Sequence, residues 1–411
     1  YFESQYGNVG RLNLKTGARA RFRVPRVKNE KLRFNWKTPF ILSAHNPRIF
    51  YMAGNKVYKS LDQGNDLRTI SPDLTTHARG TTTALAESPM NPNVLYAGTD
   101  DGHLWVTTDG GTRWTECKLS GIPGPRRVNS IEASRFVQGR AYVVYDGHYY
   151  NDDTPYIFVT EDFGKTWTSL RANLPDGTTR VLREDVVNRN LLYLGAEFGL
   201  WASIDRGQSW SRLNNNLPHV AVHEVALHPT AGEIVAGTHG RSLWILDVTP
   251  LRQLTKETLA AGTHFFRPKT ATLWQGATGK RFFGHRQFFG DNPTAGAVFQ
   301  YRLGKQPKRV MLSVTDIAGT ELARIQGPRN IGLNRAVWNL RRRRIRGQRP
   351  PQITSRFSLR IDPGTYLVTL DVDGEKFKQT VTIAPDPKFP ARTLTFDEEE
   401  QLRKQAKVRE N

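Results

Sequence analysis

The stretch Thr107-Thr-Asp109-Gly-Gly111-Thr-Arg-Trp114 decides the fold, because three further copies of it occur within the first 210 residues. The copies share the pattern Ser/Thr-x-Asp-x-Gly-x-x-Trp, except that the first has Leu in place of Trp. The repeated positions are Ser60, Asp62 and Gly64, then Thr107, Asp109, Gly111 and Trp114, then Thr160, Asp162, Gly164 and Trp167, then Ser203, Asp205, Gly207 and Trp210. The four Asp residues are 47, 53 and 43 positions apart, a period typical of β-propellers.

Short runs of β-forming residues precede each copy of the motif. Residues 94–98 and 103–106 form one pair of such runs, and residues 191–195 and 199–202 form another. A fifth unit, which includes residues 233–237, has the runs but no copy of the motif after them. Gly, Pro, Asn and Asp separate the runs, as expected for four short antiparallel strands in each unit. The pattern therefore predicts an all-β chain that begins with a multi-bladed β-propeller of four-stranded blades over residues 1–248.

The motif itself has the residue types of a hairpin loop between the third and fourth strands of a blade. Hydroxyl and carboxylate oxygens can accept backbone N–H groups across a turn, and glycine adopts the positive φ that other residues resist. The Trp is expected to fold its ring against the core of its own blade. Four repeated Asp residues could also suggest a metal site or acid/base catalysis, but a turn-forming role repeated in every blade explains them. We therefore predict that these residues are structural.

These motifs resemble the Asp-box family, also called bacterial neuraminidase repeats, and in particular the sortilin-type propellers and their bacterial relatives. The resemblance covers residues 1–248. It implies the fold and leaves the function open, since sialidases, xyloglucan-cleaving glycosidases, sorting receptors and photosystem assembly factors share the motif. Residues 10–24 read as a closing hairpin whose blade lacks its opening strands. We expect that further N-terminal blades were cleaved, are disordered or are supplied by another chain.

Beyond residue 248 the repeat stops and a second pattern begins. Residues 249–294 are predicted to be a connector, residues 295–385 an immunoglobulin-like β-sandwich, and residues 386–411 a helical tail whose helix opens at a capping-box candidate at residues 395–398. The sandwich resembles the Ig-like module of flagellar hook-capping proteins, on the basis of residues 332–341 and 363–366. That module often has Trp-Asp-Leu-Arg, whereas this chain has Trp338-Asn339 followed by arginines.

Positive charge is concentrated in one part of the chain. The net charge is +21, and residues 251–350 alone contain 20 Lys and Arg against four Asp and Glu. The predicted anion-binding residues are Arg341, Arg342, Arg343, Arg344, Arg346, Arg349, Lys280, Arg281 and Arg286. Such a block attracts acidic surfaces over about a Debye length. A protein partner with an acidic surface is the main expectation, a lipid or acidic-glycan surface is an alternative, and a solvated loop that binds nothing is another. Nucleic acid is disfavoured because none of the common nucleic-acid-binding modules is visible.

Catalysis would need acids that face each other across a cleft. The candidates are Asp152, Asp153, Glu161, Glu184 and Asp185, and their pairing cannot be read from the sequence. The ten histidines are scattered without metal-binding spacing. His219 and His223 are four residues apart, but where a loop is expected to enter a strand, so a zinc site there is disfavoured. A single cysteine excludes an intrachain disulfide. No cofactor and no metal are predicted. The sequence favours a non-catalytic binding or scaffold subunit of an extracytoplasmic assembly, and the alternative is a glycan-binding or glycoside-hydrolysing propeller.

Overall fold

The computed structural model describes residues 1–25, 28, 30–213, 215–275, 295–342 and 360–389. The chain divides into two compact units, Tyr1–Arg252 and Gln253–Asn411. The sheets of the first unit are antiparallel, those of the second are antiparallel except for one parallel pair of strands, and each unit has its own hydrophobic core.

The first unit is a series of six antiparallel meanders, here called blades 1 to 6, within the described residues. Blade 1 contains β1 (Phe2–Glu3), β2 (Val9–Leu12) and β3 (Arg19–Arg21), and blade 2 contains β4 (Phe40–Leu42), β5 (Phe50–Ala53), β6 (Val57–Ser60) and β7 (Arg68–Thr69). Blade 3 contains β8 (Thr82–Ser88), β9 (Asn91–Thr99), β10 (Leu104–Thr107) and β11 (Thr115–Cys117). Blade 4 contains β12 (Arg127–Ala133), β13 (Ala141–Asp146), β14 (Tyr156–Thr160) and β15 (Thr168–Ser169), with a 3₁₀ turn at His148–Tyr150. Blade 5 contains β16 (Thr179–Glu184), β17 (Leu192–Ala196), β18 (Gly199–Ser203) and β19 (Ser211–Arg212), and blade 6 contains β20 (Val222–Leu227), β21 (Glu233–Thr238) and β22 (Leu243–Asp247).

Consecutive blades pack face to face, so the apolar core of this unit lies between the blades. The first strands β8, β12 and β16 contact one another in sequence along the series. Between blades 3 and 4, Leu104 and Val106 pack with Val128, Val143 and Phe158. This arrangement confirms the prediction of an all-β, multi-bladed propeller, with four strands in each of blades 2 to 5 and three described strands in blades 1 and 6.

Burial on both faces explains why the second strands of blades 4 and 5 are mostly apolar. All five residues of β17 are buried, as are all six of β13. A strand covered on one side only would alternate apolar and polar residues, whereas a strand between two neighbours reads as a continuous apolar run. The Leu-Tyr-Leu-Gly-Ala sequence of β17 is such a run.

The second unit is a β-sandwich of two sheets that enclose one core. It starts with the short helices α1 (Thr249–Gln253), which spans the boundary between the units, and α2 (Lys256–Ala260). One sheet has the order β23 (Thr263–Phe265), β25 (Ala297–Leu303) and β28 (Gly332–Trp338). The other has the order β24 (Ala271–Leu273), β30 (Glu375–Pro385), β29 (Gly364–Val372), β26 (Val310–Thr315) and β27 (Glu321–Gln326). Neither of the helices in the described residues is long and apolar enough to cross a bilayer.

The beginning of the sandwich differs from the sequence prediction. The range 249–294, predicted as a connector, contains β23 and β24, which pair with β25 and β30. Each is only three residues long, too short to show a period, although Phe265 and Ala271 are buried in the core. The predicted tail lies outside the described residues from residue 390 onward. The assignment of this sandwich to the immunoglobulin-like class stays a prediction.

Candidate functional site

The hydroxyl that opens each Asp-box motif holds its hairpin together from the inside. In all four copies the hydroxyl is buried and accepts a hydrogen bond from the backbone N–H of the motif's glycine, at 2.7 to 3.0 Å. The hydroxyls belong to Ser60, Thr107, Thr160 and Ser203, and the glycines are Gly64, Gly111, Gly164 and Gly207. The φ angles of these glycines lie between +84° and +102°, a region in which other residues are strained.

The Asp of the motif bonds within the same turn. In the last three copies its Oδ1 accepts the backbone N–H of the residue four positions later, at 2.9 Å. For Asp162 this bond and those from the Thr166 and Thr160 side chains lower the pKa to about 2. Asp62, in the copy without Trp, accepts side-chain bonds from Arg48 and Asn65. These contacts support a role in the turn.

The glycine and the tryptophan of the motif also join each blade to the previous one. A Cβ atom on Gly111 would lie 2.7 Å from the carbonyl oxygen of Ile70, which follows the outer strand of blade 2. The indole N–H of Trp114 donates to that same carbonyl at 2.8 Å, and Trp210 donates to the equivalent carbonyl of Leu170 at 2.9 Å. The ring therefore packs across the blade interface, where the sequence interpretation had placed it in its own blade.

Blade 4 differs from this pattern, because the glycine of its motif packs on the chain's single cysteine. Gly164 packs on the thiol of Cys117 at the end of β11, because a Cβ on Gly164 would lie 2.5 Å from Sγ. Trp167 is half-buried, and its indole N–H donates to the carbonyl of Gly164 at 3.0 Å. Burial raises the pKa of the Cys117 thiol to about 12, so the thiolate is not formed at neutral pH.

Four of the five candidate catalytic carboxylates hold bonds within the fold. Asp152 pairs with Arg126 at 2.9 Å, and Glu161 pairs with Arg140 at 2.9 Å. Asp185 is fully buried and accepts bonds from Arg252 and from the hydroxyl of Tyr193. Burial would raise the pKa of Asp152, but bonds from Thr154, Arg126 and Tyr156 lower it to about 2. A general acid needs the opposite shift, so Asp152 is unsuited to that role.

Glu184 forms a buried latch between blades 4 and 5. Its carboxylate accepts the Ser134 hydroxyl at 2.8 and 2.9 Å, the backbone N–H of Arg135 at 3.0 Å and the Tyr142 hydroxyl at 3.3 Å. Glu87 of blade 3 makes the same set of bonds to Ser43, Ala44 and Tyr51 of blade 2. The two glutamates occupy equivalent register positions, opposite Leu192 and Leu95. They are therefore one repeated structural device.

The latch is absent between blades 3 and 4, and the sequence explains why. The position equivalent to Glu184 is Ala133, and the Tyr96 hydroxyl that would reach it is buried with no hydrogen-bond partner in the structure. The residue that would donate the backbone N–H is Pro89, which has none. With one donor missing, a buried carboxylate here would be poorly satisfied.

Two arginines of β16, the buried Arg180 and the half-buried Arg183, connect neighbouring blades through ion pairs. Arg180 pairs with Asp146 and with Glu197, and its side chain is only 7% exposed. Burial would raise the pKa of Glu197, but the bonds from Arg180 outweigh it and lower that pKa. Arg183 bonds to Glu224 and lies 3.6 Å from Glu132, whose pKa burial raises to about 7. These ion pairs escaped the sequence analysis, because their members lie 17 to 51 residues apart in strands with no charge motif.

A cleft of about 840 Å³ lies between blades 3 and 4. The β9–β10 turn, with Asp101 and His103, forms one wall, and the segment that contains Arg126 forms another. His103 bridges Glu116, at 2.6 Å, and the Thr76 hydroxyl, at 2.9 Å. The guanidinium of Arg126 stacks 4.5 Å above the Tyr150 ring. The cleft thus offers an aromatic platform beside polar donors and acceptors.

The structure describes only two members of the predicted anion-binding cluster. Arg341 and Arg342 are exposed after β28, and Arg342 lies 3.8 Å from Asp362. Arg343, Arg344, Arg346, Arg349, Lys280, Arg281 and Arg286 lie outside the described residues. In the described part of the chain, no three His, Cys, Asp or Glu residues are placed to hold a metal. His223 lies beside His239, with 3.4 Å between the Nε2 of His223 and the Nδ1 of His239.

Comparisons with known proteins give local likenesses. No family model matches the chain. A probable oligoxyloglucan-reducing end-specific xyloglucanase of Neosartorya fischeri is 28% identical over 161 residues, which is 36% of this chain and 19% of that protein. The GH74 enzyme of Niastella koreensis is 18% identical with a TM-score of 0.39, over 50% of this chain and 33% of the enzyme.

A protein of a different kind shows a similar degree of likeness. PorZ, a bacterial surface component of the type-IX secretion system of Porphyromonas gingivalis, is 12% identical with a TM-score of 0.41. The match covers 86% of this chain and 52% of PorZ. This chain therefore spans about half or less of each of these three proteins.

Proposed function

We propose that this chain is a non-catalytic, protein-binding subunit of an extracytoplasmic assembly, and that its second unit docks on an acidic partner. The observation that carries the proposal is the distribution of charge. Residues 251–350 have a net charge of +16, from 20 basic and four acidic side chains. The members of this block that the structure describes include Lys305, Lys308, Arg341 and Arg342, and all four are exposed.

The bonds of the carboxylates in the propeller are consistent with this proposal. Asp152, Glu161, Glu184 and Asp185 are each held by an arginine, a tyrosine or a serine. These carboxylates therefore contribute to the fold. Two acids that cleave a glycosidic bond would instead need to face each other across it. An exposed basic surface mainly accelerates encounter with an acidic partner and selects against basic ones.

The experiment is purification from the native source at low salt, followed by mass spectrometry of proteins that bind in stoichiometric amounts. Replacing Arg341, Arg342, Arg343 and Arg344 by Ser should slow association with that partner by about tenfold or more at low salt. A matched control removes four exposed cations elsewhere, with Lys15, Lys37, Lys165 and Arg206 replaced by Ser, and should have a smaller effect. Binding that is indifferent to both salt and the four arginines would contradict the proposal.

The cleft between blades 3 and 4 favours a second candidate, glycan binding. Tyr150 is 44% exposed beside Arg126, Asp101 and His103, and aromatic rings beside polar groups suit a sugar face. A chain that binds no protein but loses binding to an oligosaccharide on Tyr150→Ala would establish this alternative in place of the first.

A further inference from the structure

The first strand of each of blades 3 to 6 contains a β-bulge at the same place. In each of these strands the pairing with the second strand skips one residue close to the start of the strand. The skipped residues are Thr83, Asn129, Arg180 and His223. A bulge turns the side chain of its extra residue out of the regular alternation, and bulges are frequent beside functional sites. The bulge in blade 6 therefore sets the direction of the His223 side chain.

The strand register places a second position beside the bulge, at the turn between the second and third strands. In blade 5 this position is Glu197, which pairs with the bulge residue Arg180. In blade 6 the same two positions are His239 and His223. The backbone N–H of His239 donates to the carbonyl of Ala221 at 2.9 Å, which fixes the turn against the start of β20. The fold that joins an arginine to a carboxylate in blade 5 thus brings two imidazoles together in blade 6.

The distance between the two imidazoles is that of two ligands on one metal ion. The Nε2 of His223 lies 3.4 Å from the Nδ1 of His239. This distance exceeds the about 2.7–3.2 Å of hydrogen bonds that N–H groups donate to oxygen. A tetrahedral zinc ion with Zn–N bonds of about 2.0–2.1 Å holds two nitrogen ligands about 3.3–3.4 Å apart. Both histidines are exposed in the described chain, so an ion from solution can reach them.

The charges around the pair favour a neutral imidazole and a bound cation. Protein atoms that exclude water from its ring, together with Arg180 and His239, lower the pKa of His223 below its ordinary value. A neutral imidazole keeps the lone pair that binds a metal. Glu197 and Asp146 act on His223 in the opposite sense. Both carboxylates pair with Arg180, and two carboxylates against one guanidinium leave one negative charge to attract a cation.

We propose that the Nε2 of His223 and the Nδ1 of His239 bind one divalent transition-metal ion of the zinc class. Imidazole nitrogen suits zinc, copper and nickel. The metal takes the place of the proton between the two rings, and each ring keeps its proton on the nitrogen that faces away. A tetrahedral ion held by two imidazoles has two positions for water or for a donor atom of a bound molecule. This inference goes beyond the proposed function and does not depend on it.

Isothermal titration of the untagged 411-residue chain with zinc chloride tests the proposal. His223→Ala and His239→Ala each remove one of the two ligands. Each should weaken the binding seen in the wild type by at least about tenfold, a loss that even an outer partner of a ligand can cause. The matched control is His219→Ala, an exposed histidine four residues before His223, and this variant should bind zinc like the wild type.

Two further measurements separate a shared ion from a folding defect and from two independent sites. Without zinc, the three single variants should melt like the wild type, because all three histidines are exposed. Zinc should raise the melting temperature of the wild type and of His219→Ala more than that of the other two. In the variant with both His223→Ala and His239→Ala, the loss of affinity should be smaller than the sum of the two single losses. A wild type that binds no zinc, single variants that bind zinc as strongly as the wild type, or additive losses overturn the proposal.

Discussion

Replacing Glu184 by Ala should lower the free energy of unfolding by about 3–5 kcal/mol. The change leaves the Ser134 hydroxyl, the Arg135 backbone N–H and the Tyr142 hydroxyl without their acceptor at a site where Glu184 is completely buried. A buried donor that loses its only partner costs about 1–3 kcal/mol, and three are affected here. Denaturant unfolding of the wild type and the variant measures this difference. If the dependence of the free energy of unfolding on denaturant concentration is the same for both, the shift of the midpoint gives the loss of stability.

The chain offers its own control for this prediction. Tyr142→Phe removes a hydroxyl that donates to Glu184, whereas Tyr96→Phe removes a buried hydroxyl that has no partner. We expect Tyr142→Phe to destabilise by about 1 kcal/mol and Tyr96→Phe to be neutral or stabilising. Equal losses for the two variants would mean that packing of the ring, and not the latch, determines their contribution.

Arg180→Met should also be severely destabilising, by about 3–5 kcal/mol at neutral pH. It removes the only described cation that pairs with Asp146, which is buried, and the same guanidinium holds Glu197. The exposed pair of Arg171 and Asp176 provides the comparison, and Arg171→Met should cost about 0.5 kcal/mol or less. Denaturant unfolding measures both variants.

The pH dependence distinguishes loss of this charge pair from loss of packing. The pKa of Glu197 is lowered in the folded wild type, so its contribution to stability is present above its unfolded pKa and is lost as the pH falls through the folded pKa. In Arg180→Met that contribution is absent. The difference in free energy of unfolding between the variant and the wild type should therefore become smaller as the pH is lowered below about 4.5. A difference that stays constant with pH would assign the loss to packing alone.

The sequence predicted those features that a single hairpin encodes. The Asp-box motif places its hydroxyl, carboxylate and glycine within eight residues, so its turn could be read directly. The Glu184 latch joins side chains 42 to 50 residues apart, and no local pattern connects them. Pro89 and Ala133 illustrate the same limit. Neither residue indicates from the sequence alone that the latch is missing, and only the strand register of blades 3 and 4 shows it.

The candidate sites show a similar division. The basic block between residues 251 and 350 follows from composition alone, and its exposed members Arg341 and Arg342 were found that way. The cleft between blades 3 and 4 was missed, because Asp101, His103, Arg126 and Tyr150 come from different loops. Periodicity shows which residues are buried in a strand, but it does not show which loops meet at the end of a blade.

Because Gly164 packs on Cys117, the reactivity of the protein's one thiol should report local separation of neighbouring blades. In the native chain the sulfur is sealed under the glycine of the next hairpin and is protonated at neutral pH. An alkylating reagent should therefore react with it faster in molecules whose third and fourth blades have separated locally. The rate of labelling should thus follow the equilibrium of that local opening, and mild denaturant should accelerate it before global unfolding begins. The labelling rate of Cys117 thus measures this local opening without an engineered probe.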